Sequence, residues 1–330
     1  MTPGWGRRLQ GCARRAQRGA ALLIAMLILT LVATVAAAMV WHQQRAIEVE
    51  AAERASTQAS VMLNAILDTA RFFIRTLPAG TPMINGTGIG QELKDMRLDQ
   101  LLAVDRDNNA DASLEAFFSA QITDAQGRYN LRRLLADDGK AVPGELAALR
   151  RLCQAVGLPA ETADQMAAAL GTAWSGQDDE GPLSPGRLDQ LAWLGLDPNV
   201  IATLRPHVDV LPGRTAVNVN NATAPALVAA VDGLDAAAAQ LLLNRRPATG
   251  WKDLAAFRAL LPESITADDG RVATQTRLFE VRASVRLGDR ERAQRWLLES
   301  RSDRGSDIVV LRQSPSNSLD GTLSPQSGRR

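Results

Sequence analysis

The chain has 330 residues, of which 46% are hydrophobic, 22% charged and only 4% aromatic, and its formal net charge is +1. This length suits two compact units with accessory segments, and an apolar content made mostly of alanine and leucine favours helices. Residues 1–19 hold five arginines and no acid, which leaves 32 basic residues against 36 acidic ones in the remainder. Such a mildly acidic body excludes a general basic surface for nucleic acid.

The two cysteines exclude a disulfide framework and a zinc site built from clustered cysteines. Cys12 lies in the basic leader, so Cys153 has no intrachain partner if that leader is removed. We therefore expect Cys153 to be a free or buried thiol.

The first predicted element is a membrane-spanning helix. Residues 20–41 contain no charged side chain and would rise about 33 Å as a helix, close to the thickness of a bilayer core. Arginines precede this stretch and the first acid after it is Glu48, so the positive-inside rule puts residues 1–19 in the cytoplasm and the rest outside it. Trp41 lies where an interfacial aromatic side chain belongs.

The junction before the apolar stretch allows three interpretations: a cleaved secretory signal, a plain signal anchor, and a prepilin-type leader. A secretory signal has a shorter apolar core with its cleavage site at the far end, whereas here the apolar run is long and polar residues follow it. Arg18-Gly19-Ala20-Ala21 resembles a prepilin peptidase site, in which a basic leader ends in glycine before an apolar helix. This resemblance implies cleavage between Gly19 and Ala20 and N-methylation of Ala20.

The same helix is predicted to continue as a stem beyond the membrane. No glycine or proline occurs between Gly19 and Pro78, so residues 20–77 can form one helix of about 87 Å. Helical spacing with one buried face is shown by Ala59, Met62, Leu63, Ile66, Leu67, Ala70, Phe73, Ile74 and Leu77.

Ile24 departs from the pattern of most pilins, which carry glutamate at the fifth residue after the cut. The resemblance implies that this glutamate pairs with the free amine of the subunit ahead, because an unpaired carboxylate in lipid is costly. A subunit with nothing ahead of it needs no such glutamate, so its replacement by isoleucine indicates a place at the tip of a filament. The alternative is a degenerate anchor in which isoleucine simply faces lipid.

A glycine-rich loop is predicted after the stem, at residues 78–90. Gly86 and Gly88 suggest a phosphate cradle, but a G-x-G-x-x-G pattern needs glycine where Gln91 stands, and no strand precedes the loop. We therefore interpret it as a connection.

The rest of the chain reads as strand, helices and strands again. A strand at 114–123 and a turn at 124–127 come first. Short helices are then predicted at 143–157, 160–174, 188–194, 198–204, from Thr223, from Asp235 and at 251–261. Alternation predicts strands at 276–287, 292–301 and 307–311, and a polar tail follows.

These elements predict an α+β fold: a long N-terminal membrane and stem helix packed on a small antiparallel, pilin-like sheet that is interrupted by a large all-α insertion. The expected segments are a leader (1–19), the helix (20–77), a discontinuous sheet domain (78–131 and 272–312), the insertion (132–271) and a disordered tail (313–330).

Several stretches in this order resemble the K-type minor pseudopilin of type II secretion systems (general secretion pathway protein K). They are Asp124-Ala125-Gln126-Gly127-Arg128-Tyr129-Asn130-Leu131, Leu204-Arg205-Pro206-His207, Val217-Asn218-Val219-Asn220-Asn221-Ala222, and the 240–257 stretch with Arg245, Gly250, Trp251 and Phe257. The resemblance implies a non-enzymatic subunit at the tip of a periplasmic filament, anchored in the bacterial inner membrane, which supports protein export. It also implies I- and J-type minor pseudopilins, the major pseudopilin and the prepilin peptidase as partners, with cargo contact left open.

A helix-hairpin-helix is the alternative for residues 217–261, and it would make the chain a membrane-anchored protein for DNA binding or uptake. That module needs a G-h-G hairpin whose amides reach a phosphate, but here Asp235 follows Gly233-Leu234. A carboxylate repels phosphate, so we favour a packing hairpin and expect no nucleic acid partner.

Catalysis and metal binding have weaker support. The sequence contains no H-E-x-x-H, G-x-S-x-G or Walker A motif, and its histidines are His42 and His207, so we predict no catalytic residue. Asp178, Asp179 and Glu180 follow Trp174 in a glycine-containing loop that could ligate calcium, against the alternative of a solvated acidic turn. In this family an additional aspartate often precedes these acidic residues, whereas in this chain Gly176 stands near that position.

Overall fold

The computed structural model describes residues 9–78, 81–97, 116–136, 138–175, 182–301 and 307–316, with side chains from residue 21 onward. The chain divides into two compact units, residues 1–60 and 61–330.

The first unit is helical, and its helix continues into the second. Helix α1 spans Leu9–Thr76 and confirms the predicted helix, although it begins earlier and includes Gly11 and Gly19. It ends just ahead of Pro78, because a proline lacks the amide hydrogen that a further turn needs. Side chains at 21–51 are exposed along the whole apolar stretch.

The stem part of α1 belongs to the second unit and buries one face there. Leu63, Ile66, Leu67, Ala70 and Ile74 are buried at spacings of three and four residues, as the apolar pattern predicted. Phe73 was expected on this face but is 45% exposed.

In the described residues, the sheet of the second unit has five antiparallel strands: β1 (Leu93–Arg97), β2 (Ala116–Asp124), β7 (Leu278–Leu287), β8 (Arg290–Ser300) and β9 (Ile308–Pro315). They lie side by side in the order β1-β2-β7-β8-β9. Strands β2, β7, β8 and β9 confirm the predictions in kind. Strand β1 was not predicted, and its five side chains are all exposed.

Between β2 and β7 the chain forms a mainly helical insertion. Its helices are α2 (Pro143–Ala155), α3 (Glu161–Trp174), α4 (Pro198–Leu204), α5 (Ala224–Ala230), α6 (Ala236–Asn244) and α7 (Leu254–Arg258). A 3₁₀-helix spans Leu188–Leu194. Buried leucine and alanine side chains of α2, α3 and α5 fill one apolar core.

The insertion is not purely helical, which corrects the all-α expectation. Strand β3 (Tyr129–Asn130) pairs in parallel with β4 (Val208–Asp209), and β5 (Val217–Asn218) pairs in parallel with β6 (Val272–Ala273). These ladders have two residues a strand, too short to show a period of two in the sequence.

The predicted tail also needs a correction at its start. Strand β9 continues through Pro315, so Gln313 and Ser314 pair with β8 and belong to the sheet. The remainder of that tail, 317–330, lies outside the described residues.

Candidate functional site

The surface of α1 between residues 21 and 41 is the first candidate site. Its large side chains are apolar and exposed: Ile24 is 60% exposed and Trp41 59%. The Arg45 guanidinium lies 5.6 Å from the centroid of the Trp41 ring, one turn further along. In the described part of the chain, Ala21–Thr76 is the helix long and apolar enough to cross a membrane.

Two groups of predicted site residues lie outside the part of the chain whose side chains the structure describes. Gly19 and Ala20 lie within the backbone of α1, but the described side chains begin after them. Asp178, Asp179 and Glu180 lie outside the described residues. Cleavage between Gly19 and Ala20, methylation of Ala20 and calcium binding therefore stay predictions.

An apolar cavity of about 390 Å³ lies where the stem faces the sheet. Ile66, Ala70 and Phe73 of α1 line one side, and Phe118 and Ile122 of β2 line the other. The sequence did not predict this cavity, because periodicity places side chains on a face without showing how completely that face is filled. The half-exposed Phe73 lies at the cavity instead of filling the core.

The asparagines of the Val217–Ala222 motif act as clamps inside the second unit. The Asn218 Nδ2 donates to Asp124 Oδ2 at 2.6 Å, and the Asn221 Nδ2 donates to the same oxygen at 2.8 Å. Asn221 also donates to the carbonyl of Met83 at 2.7 Å. The motif thus ties the insertion to β2 and to the segment that follows the stem.

Asp124 is the buried acceptor of that clamp. Burial is the largest influence on its pKa and raises it, and hydrogen bonds from Thr276, Asn221, Gln126 and Asn218 offset only part of that rise. Buried polar groups cost free energy unless they are hydrogen-bonded, so these donors make the carboxylate tolerable.

Asn220 connects the motif to the segments that contain Trp251 and Thr274. Its Nδ2 donates to the carbonyls of Trp251 and Thr274 at 2.9 and 2.8 Å, and its Oδ1 accepts from the Trp251 amide at 2.7 Å. Gly250 approaches so closely, with φ of 75°, that a β-carbon there would lie 2.8 Å from Asn220 Oδ1. Glycine is therefore required at this position.

A second polar cluster surrounds Glu280 on β7. Its carboxylate pairs with Arg128 at 2.9 Å, with Arg282 at 2.5 Å and with Arg295 at 3.9 Å. Arg128 also pairs with Asp209 at 2.7 Å. Burial alone would raise the pKa of Glu280, but Arg128, Arg282 and Arg295 together outweigh it and lower the pKa to about 2.

A third cluster stabilises the insertion. The Tyr129 hydroxyl donates to Glu145 Oε2 at 2.8 Å, and Arg133 pairs with the other oxygen at 2.8 Å. Burial, followed by the charge of Glu145, raises the pKa of Tyr129 well above its usual value. A tyrosine that stays protonated serves as a structural donor.

His207 and Cys153, whose side chains could in principle take part in chemistry, both lie in surroundings that suit a structural role. His207 Nδ1 lies 2.8 Å from Thr223 Oγ1, and burial lowers the pKa of the imidazole. Cys153 is a buried free thiol, as predicted, and burial raises its pKa to about 11, which leaves it largely un-ionised at neutral pH.

In the hairpin between α5 and α6, Asp235 stands where a helix-hairpin-helix has its second glycine. The Asp235 carboxylate accepts a hydrogen bond from the Ala238 amide at 2.7 Å and caps α6. The carboxylate thus occupies an amide that a bound phosphate would need.

Comparison with known proteins agrees with this architecture. The family described as type II secretion system (T2SS), protein K matches residues 127–213 and again residues 217–275, which contain the clamp asparagines. The type II secretion system protein K of Klebsiella pneumoniae is 29% identical over 316 residues, covering 86% of this chain and 92% of that protein. The protein of the same name from Pseudomonas aeruginosa is 27% identical over 230 residues, or 63% and 67% of the two chains.

Among solved structures, the chain is similar to one in the crystal structure of the GspK–GspI–GspJ complex from the enterotoxigenic Escherichia coli type 2 secretion system. That match has a TM-score of 0.59 at 17% identity and covers 81% of this chain and 99% of the other. It supports the α+β fold with its long N-terminal helix. The chain belongs to the type II secretion system protein K family, the K-type minor pseudopilins.

Proposed function

We propose that this chain is the tip subunit of a type II secretion pseudopilus, where it initiates or caps filament assembly and supports export of folded proteins across the outer membrane. The observation that carries the proposal is Ile24, an exposed apolar side chain where most pilins carry the glutamate that pairs with the subunit ahead. A tip subunit has no subunit ahead, so it needs no carboxylate there.

The same proposal covers location and partners. The apolar part of α1 anchors the chain once in the inner membrane, with the arginine-rich residues 1–19 in the cytoplasm. The second unit, residues 61–330, is called the head below and lies in the periplasm. The solved relative is part of a complex with GspI and GspJ, which supports I- and J-type minor pseudopilins as partners here. The major pseudopilin follows below the tip, and the prepilin peptidase acts on the leader. The chain works as a structural component, without catalysis.

The tip position is tested by two glutamate substitutions on the exposed face of α1. Ile24→Glu places a carboxylate where other pilins have one, and Ile28→Glu places it one turn further, at a side chain of similar exposure (60% and 55%). An unpaired carboxylate in the bilayer core costs about 3 kcal/mol. For a tip subunit we expect both variants to lower secretion of cargo in the native host to the same degree.

A subunit with another ahead of it would behave differently. The carboxylate that Ile24→Glu introduces could pair with the free amine of that neighbour, so this variant would secrete as well as or better than wild type while Ile28→Glu fails. That outcome contradicts the tip proposal. Membrane levels of each variant, measured by immunoblot, separate loss of insertion from loss of assembly.

A further inference from the structure

Three arginines form a row across one face of the sheet, on three neighbouring strands. Arg282 on β7 lies directly opposite Arg295 on β8, and Arg312 on β9 lies opposite Leu297, two residues along β8 from Arg295. Paired residues, and residues two apart on a strand, share a face. The side chains of Arg282, Arg295 and Arg312, called the arginine row below, therefore project side by side from the same face of the sheet.

Positive charge exceeds negative charge at the arginine row. Arg282, Arg295 and Arg128 share the carboxylate of Glu280, and Arg128 also takes Asp209. Arg295 lies 3.9 Å from Glu280, beyond hydrogen-bonding distance. Arg312 donates to the carbonyls of Gly186 and Val210 and, within the described residues, to no carboxylate. In the described part of the chain, Glu280 and Asp209 are the carboxylates within ion-pair distance of these four guanidinium groups, and Asp124 acts on Arg128 from further away.

Pairing with the buried Glu280 explains why Arg282 and Arg295 lie where they do, but it does not explain Arg312. Like charges directly opposite on neighbouring strands destabilise a sheet. Burial is the main cause that lowers the pKa of Arg312, and the charges of Arg295 and Arg187 lower it further, while Asp209 and Glu280 oppose the change. The depression therefore comes from burial, since the acids Asp209 and Glu280 act at least as strongly as the two arginines. An additional anion beside the Arg312 guanidinium would offset this desolvation.

The arginine row is also accessible. The side chain of Arg282 is 34% exposed and that of Arg295 is 25% exposed, and Arg312 is half-buried, so all three contact solvent. Half-buried charges are screened by salt less than fully exposed ones.

We propose that Arg282, Arg295 and Arg312 form a binding site for the carboxylates of an acidic polypeptide segment of a partner protein. Guanidinium forks match carboxylates in shape and charge, and Arg282 and Arg295 of the row already face one carboxylate of this chain, that of Glu280. Three arginines side by side on one face suit neighbouring acidic side chains of such a segment. The proposal concerns the head alone and does not depend on a position at the tip.

The test is binding of a fluorescent peptide of alternating glutamate and serine to the purified full-length chain in detergent, with the matching glutamine–serine peptide as a blank. We expect Arg295→Gln and Arg312→Gln each to weaken binding of the glutamate peptide about tenfold, because each removes a charge-assisted contact. Arg290→Gln is the matched control, since Arg290 lies on the same strand as Arg295 but on the opposite face.

Thermal unfolding of every variant distinguishes a binding role from a structural one. Arg295→Gln should change the melting temperature little, since the Arg295 side chain lies 3.9 Å from Glu280, which keeps its closer partners Arg128 and Arg282. The proposal is overturned if the three variants bind the glutamate peptide equally, or if Arg295→Gln lowers the melting temperature and leaves binding intact. Binding of inorganic phosphate without binding of the peptide would also overturn the assignment to carboxylates.

Discussion

At the scale of single residues, Glu280 shows how a buried acid can stabilise this head. Its side chain is only 3% exposed, yet arginines on two strands and on the segment before β3 keep it ionised. Removal of a buried partner leaves uncompensated charge, which costs more than the pair itself contributes.

Glu280→Gln should therefore lower the free energy of unfolding by about 3 kcal/mol at pH 7. The folded-state pKa of Glu280, about 2, lies below the ordinary 4.5. Its contribution is therefore present above the unfolded pKa and is lost as the pH falls toward 2. Urea unfolding of the full-length chain in detergent, at several pH values from 7 to 3, measures the difference between wild type and variant.

The control for this prediction is Glu299→Gln on β8. Glu299 is 34% exposed and pairs with Arg301 at 3.1 Å, so its loss should change stability by less than about 1 kcal/mol. A constant difference between wild type and Glu280→Gln across this pH range would show that ionisation of Glu280 does not stabilise the head.

The asparagines illustrate what residue-level prediction could and could not reach. The motif at 217–222 was identified from the order of its letters, and the structure shows why asparagine is needed there. Asn218 finds its partner 94 positions away in Asp124, a pairing that no local pattern contains. The arginine row was missed for the same reason, since its members lie on three strands and meet only through the register of the sheet.

At the scale of elements, the best predictions depended on local chemistry. The part of helix α1 after Gly19 followed from the absence of glycine and proline, and α4 begins at Pro198, a residue suited to the first turn. Strand β1 was missed because its side chains are exposed on both faces, so they show no alternation. Strand β9 extends further than expected because pairing with β8 overrides its polar composition.

The turn between β2 and β3 provides a prediction at this scale. A β-carbon on Gly127 would lie 2.6 Å from the carbonyl oxygen of Asn221, a backbone atom that cannot rotate away. Gly127→Ala should therefore lower the free energy of unfolding by about 2 kcal/mol and loosen the asparagine clamp. Urea unfolding with hydrogen exchange at residues 217–222 measures both effects.

Gly144→Ala is the matched control, because a β-carbon on Gly144 meets nothing within 4 Å and the residue lies in the first turn of α2. Alanine there should raise the free energy of unfolding by about 0.5 kcal/mol. Equal effects of the two substitutions would mean that the turn does not pack against Asn221 as described.

At the scale of the whole molecule, one helix serves two environments. Residues 21–41 expose apolar side chains, which a bilayer or neighbouring membrane helices must cover, while residues 61–74 bury one face within the head's own unit. The two roles require no break in the helix, and the 20–77 stretch contains neither glycine nor proline.

The processing site is the remaining whole-molecule prediction. Helix α1 runs through Gly19, so a peptidase must unwind the helix to reach the bond between Gly19 and Ala20. Glycine lowers the cost of unwinding by about 1 kcal/mol relative to alanine, because it gains the most conformational freedom. We expect mass spectrometry of the membrane-extracted chain to show a mature protein that begins at Ala20 and carries an N-methyl group.

Substitution at Gly19 separates this processing site from a plain signal anchor. Gly19→Val should leave the full leader attached and abolish secretion, because the subunit below then lacks the free amine of Ala20. Gly11→Val changes another glycine of the same helix, eight residues before the bond, and should leave cleavage intact.

Processing also removes Cys12, so the mature chain should carry one thiol, Cys153, which reacts with alkylating reagents only after unfolding. A chain that starts at Met1 in wild-type cells, one cut near Trp41, or normal secretion by uncleaved Gly19→Val would each contradict the prepilin-type leader and reduce α1 to an anchor.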